Sequence, residues 1–347
     1  MVFSDFPNSI AWLLSIPQCT LDTALRSNLA SVRLRAALSA EKFIAQGCRV
    51  DFCDGNKNSI PEILFIGKFN HSTDEERFDR WISYINLCKA NGAMIVVDYT
   101  DNHGYSTTVT GDFYIQAIAL ADKIICSSKR LAQHIQTLGY DKSIIIEDPV
   151  EYSFLKPTNK QNPIKRALWF GHVSNLQYFL NFLIELQNYP IPLEIIALTN
   201  AYPLPDEIIS KLRKILPTNV NVNLLEWSHQ NMIEAAKISD FCIIPAGIND
   251  AKKNGASSNR LLTALTLGLP VLADPLDSYL DFKNFFNELT LDNLTSLVCT
   301  PLDENLQNVM LAQSLIISKF TKDKISNKWL NLISTLNDKP IRNNYTE

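Results

Sequence analysis

The chain has 347 residues, 46% hydrophobic and 20% charged, with 32 basic against 36 acidic side chains for a net charge of −4. That length suffices for two domains with separate cores, and the slight acidity argues against a general nucleic-acid binder. No apolar run approaches the ~18 residues that span a bilayer, and Asp5 stands where a signal peptide would be basic. A cytoplasmic protein is expected, with peripheral contact at the inner membrane face left open by composition. Seven cysteines (Cys19, Cys48, Cys53, Cys88, Cys126, Cys242, Cys299) show no CxxC pair and no metal-ligand spacing. Free thiols, most of them buried, and no bound metal are expected.

In chain order, SIAWLLSI at 9–16 is a strand candidate, and a loop with Cys19, Thr20 and Asp22 follows. Residues 29–47 carry Leu29, Val32, Leu34, Ala37, Leu38 and Phe43 at helical spacing and end on Gly47, which predicts a helix before a strand at 49–53. Arg33 and Arg35 are two positions apart and cannot share one helical face. Arg33 is favoured as the functional one, and Arg35 is assigned to solvent. Residues 62–67 read as a buried strand, and 71–92 as a helix whose acidic first turn complements its dipole. Its Phe78, Trp81, Ile82, Ile85 and Leu87 are assigned to the core.

Residues 93–98 form the next strand, and Tyr99-Thr-Asp-Asn-His103-Gly104 follows its carboxyl end directly. Asp98, Asp101 and His103 are therefore acid/base candidates. The same residues also make good turn chemistry. Helices at 111–121 and 131–139 alternate with strand candidates beginning at Asp122 and Ser143, and His134 is read as a surface or packing residue.

Residues 152–165 are polar and proline-flanked, the composition of a linker. The alternation then restarts, with strands at 167–171, 193–198 and 222–227, and helices reaching Leu186 and spanning 206–215. The stretch 240–274 reads as strand, polar loop, helix, strand. Phe241 to Pro245 is apolar; Lys252, Lys253, Asn254 and Gly255 lie in the loop; Ser257 or Ser258 is the N-cap. Gly268 stops the helix, and a second buried strand opens at Pro270. Loop and helix start thus sit at the carboxyl edge of a parallel sheet, where open α/β folds bind ligands. Free N–H groups there, with Arg260 just inside the helix, suit a diphosphate. The tail from Leu302 is predicted helical.

Asp240-x-x-Ile-Ile-Pro, followed by Ser-Asn259-Arg260-Leu-Leu-Thr-Ala-Leu-Thr-x-Gly268-x-Pro270-Val, resembles the nucleotide-binding signature of GT-B glycosyltransferases, in particular the family 4-like group. Trp-Phe-Gly171, Glu-Trp-Ser228 and the Asp-Pro-Val-Glu close of the first half resemble further landmarks of that fold. The resemblance spans about residues 25–335 and is densest from 165 to 275. It implies an α/β protein of two Rossmann-like, doubly wound domains facing a cleft. Residues 1–155 would be the N-terminal, acceptor-side domain, 156–320 the nucleotide-sugar-binding domain, and 321–347 a helix crossing back to the first.

The resemblance also implies a transferase moving a sugar from a nucleotide-sugar donor to a saccharide, lipid-linked or other acceptor, without a metal or other cofactor. Gly171, His172, Trp227, Ser228, Lys253, Ser257, Ser258, Asn259, Arg260 and Thr263 would line the donor site. Asp101 or His103 would supply the base, and Arg33 would serve the phosphate or acceptor side. Two departures stand out. Gly255 and Thr263 occupy the places of the paired glutamates of many retaining members, and His172, Asn175 and Gln177 stand where a basic pair is usual. A non-catalytic GT-B-like subunit that binds a partner transferase or a glycan is therefore the alternative. A nucleotide-sugar epimerase, which shares the architecture, comes third.

Overall fold

The computed structural model describes residues 6–16, 19–56, 59–69, 74–104, 107–160, 162–200, 203–250, 253 and 255–337. Two compact units divide the chain: Met1–Pro149 with Lys322–Glu347, and Val150–Thr321. The division falls ahead of the polar 152–165 segment, so the boundary expected at 155 is displaced. Val150 N–H donates to Phe320 O at 2.8 Å and Leu155 N–H to Thr266 O at 3.0 Å, which makes residues 150–155 part of the second unit.

The first unit is built on β1 (Ser9–Leu13), β2 (Arg49–Cys53), β3 (Ile63–Ile66), β4 (Met94–Tyr99), β5 (Lys123–Cys126) and β6 (Ser143–Ile145). All pair in parallel in the order β2-β1-β3-β4-β5-β6. The second holds β7 (Lys165–Gly171), β8 (Leu193–Thr199), β9 (Val220–Glu226), β10 (Phe241–Ile244), β11 (Val271–Ala273) and β12 (Asn287–Glu288). These are also parallel, in the order β12-β11-β10-β7-β8-β9. Strands linked by helical crossovers in both units make this a doubly wound α/β protein.

Three local expectations change. The loop at 19–22 opens a short helix, Leu21–Leu25, because Thr20 and Thr23 form a reciprocal capping box. The helix from 29 onward has two windings, a π-helical Val32–Ala37 followed by α-helical Leu38–Ala45. All six residues of the π segment are buried, whereas Leu29 is 40% exposed. In Glu75–Ala90 the buried residues Trp81, Tyr84, Ile85 and Cys88 follow the helical period. Leu87, two positions from Ile85, lies on the other face and is 46% exposed rather than core. Residues 71–73 of that predicted helix fall outside the described residues.

Each unit has its own aromatic centre. In the first, Trp12 stacks on Phe65 at 4.8 Å, and Trp329 of the terminal helix Lys322–Asn337 packs edge-on against both, at 5.7 and 5.8 Å. In the second, Trp169 of β7 stacks on Phe179 at 4.4 Å. Among the described residues no helix is long and apolar enough to cross a membrane.

Candidate functional site

In open parallel sheets, ligands gather beyond the carboxyl ends of the strands, where the strand order reverses. That point lies between β1 and β3 in the first unit, and between β7 and β10 in the second.

In the first unit, Lys68 follows β3, and Asp101, Asn102 and His103 follow β4. Lys68 Nζ pairs with Asp101 Oδ2. His103 Nε2 lies 3.9 Å from the same oxygen, and its ring stacks on Tyr114 with centroids 4.9 Å apart and planes 3° from parallel. Tyr99 donates its hydroxyl to Asn102 Oδ1 at 3.0 Å and accepts Gly104 N–H at 2.9 Å. Asp101 is 8% and His103 2% exposed, so this is a tied-down loop and not an open turn. Sequence reasoning missed Lys68, although its place just beyond a strand's carboxyl end was the available signal.

The arginine assignment needs correction, since neither residue is solvated. Arg33 is 8% exposed and its Nη1 donates to the Ser27 carbonyl. Arg35 is 1% exposed and its guanidinium is committed to Asp98. The fully buried π-helical turns leave no outward face for either. Asp98 thereby ceases to be an acid/base candidate, because its carboxylate is consumed inside the unit.

In the second unit, several of the expected donor residues collect at the carboxyl edge. Gly171 ends β7. His172 caps the following turn, with Ser174 N–H donating to its Nδ1 at 3.2 Å, and Val173 N–H reaches Asn200 Oδ1 beyond β8 at 2.9 Å. Trp227 follows β9, partly exposed, with its ring 5.2 Å from His229. Ser228 accepts Asn231 N–H at 3.0 Å and so acts as a helix cap. Lys253 is partly buried and donates its N–H to Asp250 O at 2.9 Å. Lys252 and Asn254 lie outside the described residues.

The helix Asn259–Thr266 begins at Ser258, but the N–H of Asn259 is satisfied by Ser257 Oγ at 3.2 Å, with no side-chain bond from Ser258. Thr263 is 3% exposed and donates its hydroxyl to Asn259 Oδ1 at 2.9 Å. The Thr263 hydroxyl is thus spent within its own helix.

Arg260 is only partly engaged in this way. Two carboxylates could have held it as scaffold, but Asp240 bonds Asn162, Lys165 and the Arg166 N–H, while Asp250 accepts the Tyr178 hydroxyl at 2.8 Å. Burial and that carboxylate push the Tyr178 phenol up to about 12, which keeps it a donor. Arg260 makes no ion pair among the described residues, and its Nη1 is buried without a hydrogen-bond partner. Tyr279 stands beside it; burial raises that phenol's pKa, and the guanidinium pulls it back down through charge and a hydrogen bond. Among the described residues no group of three or more His, Cys, Asp or Glu is placed to hold a metal ion.

No protein-family model matches the chain, and no curated protein sequence matches it. Among solved structures it is similar to a glycosyltransferase from Rickettsia africae ESF-5, with TM-score 0.59 and 11% identity over 96% of this chain and 100% of that one. It is also similar to the lipopolysaccharide outer core galactosyltransferase WaaB, with TM-score 0.55 and 12% identity over 94% of this chain and 99% of that one. A third similar structure is S. aureus TarM in complex with fondaparinux, alpha-GlcNAc-glycerol and UDP, at TM-score 0.51 and 12% identity over 78% of this chain. The match covers 55% of TarM, about half its length. At such identities the likeness is one of fold: this chain has the two-domain GT-B architecture of these glycosyltransferases.

Proposed function

We propose that the protein is a glycosyltransferase that takes a sugar from a nucleotide-sugar donor bound on the second unit. The observation that carries this reading is the Arg260 guanidinium, with one buried nitrogen unpartnered, in the first turn of a helix at the sheet's carboxyl edge. An unpaired buried donor is costly unless a ligand completes it, and a helix start that offers free N–H groups favours an anion. UDP bound to TarM is consistent with a nucleoside diphosphate as that anion.

In the reaction, negative charge grows on the leaving diphosphate as the glycosidic bond breaks. Arg260 and the amides of Ser257 and Ser258 stabilise that charge. Asp101, with Lys68 fixing its orientation, takes the proton of the acceptor hydroxyl, and His103 stands behind it. The acceptor is a saccharide, a lipid-linked sugar or another hydroxyl compound.

Gly255 and the internally bonded Thr263 favour one other reading, a non-catalytic GT-B-like subunit. Calorimetry of the Arg260→Ala variant with UDP, GDP and ADP tests the first reading. Loss of one charge-assisted bond should weaken the nucleotide that binds by about ten- to a hundredfold. Unchanged affinity with a lowered melting temperature assigns Arg260 to the scaffold. A transferase also hydrolyses its nucleotide sugar slowly without acceptor, and a scaffold does not.

A further inference from the structure

Asp274 is the residue immediately after β11, at the same carboxyl edge as Arg260. Its Oδ2 accepts the Ala246 N–H at 2.7 Å, and its own N–H donates to Ile244 O at 3.1 Å, so it ties the ends of β10 and β11 together. Its second carboxylate oxygen accepts no hydrogen bond, and it makes no ion pair, among the described residues. Arg260 is close enough to act on its titration: burial raises the Asp274 pKa, the Ala246 N–H lowers it, Glu185 raises it and Arg260 lowers it. A cation and a carboxylate thus share one edge without pairing. A tie between strands needs one acceptor oxygen and no charge, so the charge and the second oxygen remain unexplained by the fold.

The sheet order says which part of a ligand would meet them. The helix carrying Arg260 joins β10 to β11, while Trp227, the partly exposed indole of the second unit, follows β9. Four strand spacings, about 19 Å, separate β9 from β11. With the diphosphate at Arg260 and the base towards Trp227, the sugar lies over β11. Gly255 has no side chain and Thr263 is engaged with Asn259, so neither brings a carboxylate to that sugar.

We propose that Asp274 accepts a hydroxyl of the transferred sugar and so determines donor specificity. The assignment rests on the reading of Arg260 as a diphosphate ligand, and the test separates the two. The intact chain is titrated with UDP, GDP and ADP, each beside its glucose and galactose conjugates. Asp274→Asn keeps an oxygen for Ala246 N–H but turns the second acceptor into a donor. It should weaken the preferred nucleotide sugar about tenfold and leave the matching diphosphate within about twofold. Arg260→Ala should weaken both. If Asp274→Asn leaves the nucleotide sugar unchanged, or weakens sugar conjugate and diphosphate alike, Asp274 does not read the sugar, although the diphosphate site stands. If the unaltered chain binds none of the nine ligands, both assignments fall.

Discussion

Arg35 and Asp98 form a forked ion pair inside the first unit, Nε 2.8 Å from Oδ2 and Nη2 2.6 Å from Oδ1, with side chains 1% and 2% exposed. The remaining nitrogen, Nη1, donates to the Ile146 carbonyl at 2.9 Å and to Asp148 Oδ1 at 2.8 Å, and Trp329 lies 5.3 Å from the guanidinium carbon. One side chain therefore fastens the π-helical turns, the end of β4 and the segment that closes the unit. Burial alone would lower the arginine's pKa, but the two carboxylates outweigh it and hold it above its ordinary value.

Removing one partner from such a network leaves the others buried and uncompensated. Arg35→Met should destabilise the chain by about 3–5 kcal/mol, and adding Asp98→Asn should recover part of that loss. Urea unfolding of the two single variants and the double variant measures the coupling. An unaltered midpoint in Arg35→Met would rule out the network as a source of stability.

His103 and Asp101 should separate in a turnover assay. Asp101→Asn should reduce turnover by about a hundredfold or more, the usual scale for a general base. His103→Phe keeps a ring stacked on Tyr114 and should cost less. A larger loss in His103→Phe than in Asp101→Asn reverses the roles.

His134 is buried, and burial first and the Arg130 charge second hold its pKa below the ordinary 6.5. The folded state therefore prefers the neutral ring. The stability this contributes is present above 6.5 and is lost as pH falls through the lower folded-state value. Between about pH 7.5 and about pH 5, the wild-type urea midpoint should fall more than that of His134→Gln. Equal falls in both chains would show that His134 carries none of the acid sensitivity.

Gly268 and Gly47 both have left-handed backbones, with φ of +77° and +89°, but different surroundings. A Cβ at Gly268 would stand 2.8 Å from the Leu155 carbonyl oxygen, whereas nothing lies within 4 Å of one at Gly47. Gly47→Ala should cost only the conformational penalty, about 1–2 kcal/mol. Gly268→Ala should cost more, because the backbone at residues 155–156 cannot swing aside as a flexible side chain would. Thermal unfolding of the two variants side by side reads the difference.

Strand and helix alternation was legible because apolar runs and glycine stops report local geometry: β7, β10 and the Gly268 stop lie where the pattern places them. Arg260 was legible for the same reason, since its place follows from a loop, a cap and a helix. Lys68 and the Arg35–Asp98 pair were not. Their meaning depends on contacts between residues 33 and 63 positions apart in the chain, and no local period encodes such a contact. The π winding escaped as well, because its apolar spacing is close to that of an α-helix. Asp274 reads in the sequence as an ordinary strand end, and only the Ala246 N–H and the neighbouring Arg260 single it out.

The placement of Trp329 also has a bearing on how the protein is made. The first unit's aromatic centre lacks that ring until residues 322–337 have been synthesised, and the whole of Val150–Thr321 leaves the ribosome before them. At about 5–20 residues per second, the wait after Pro149 is on the order of ten to forty seconds. The half translated second is thus the first to possess its full sequence. Through that interval Trp12 and Phe65 on the nascent chain present a surface that cellular chaperones can hold.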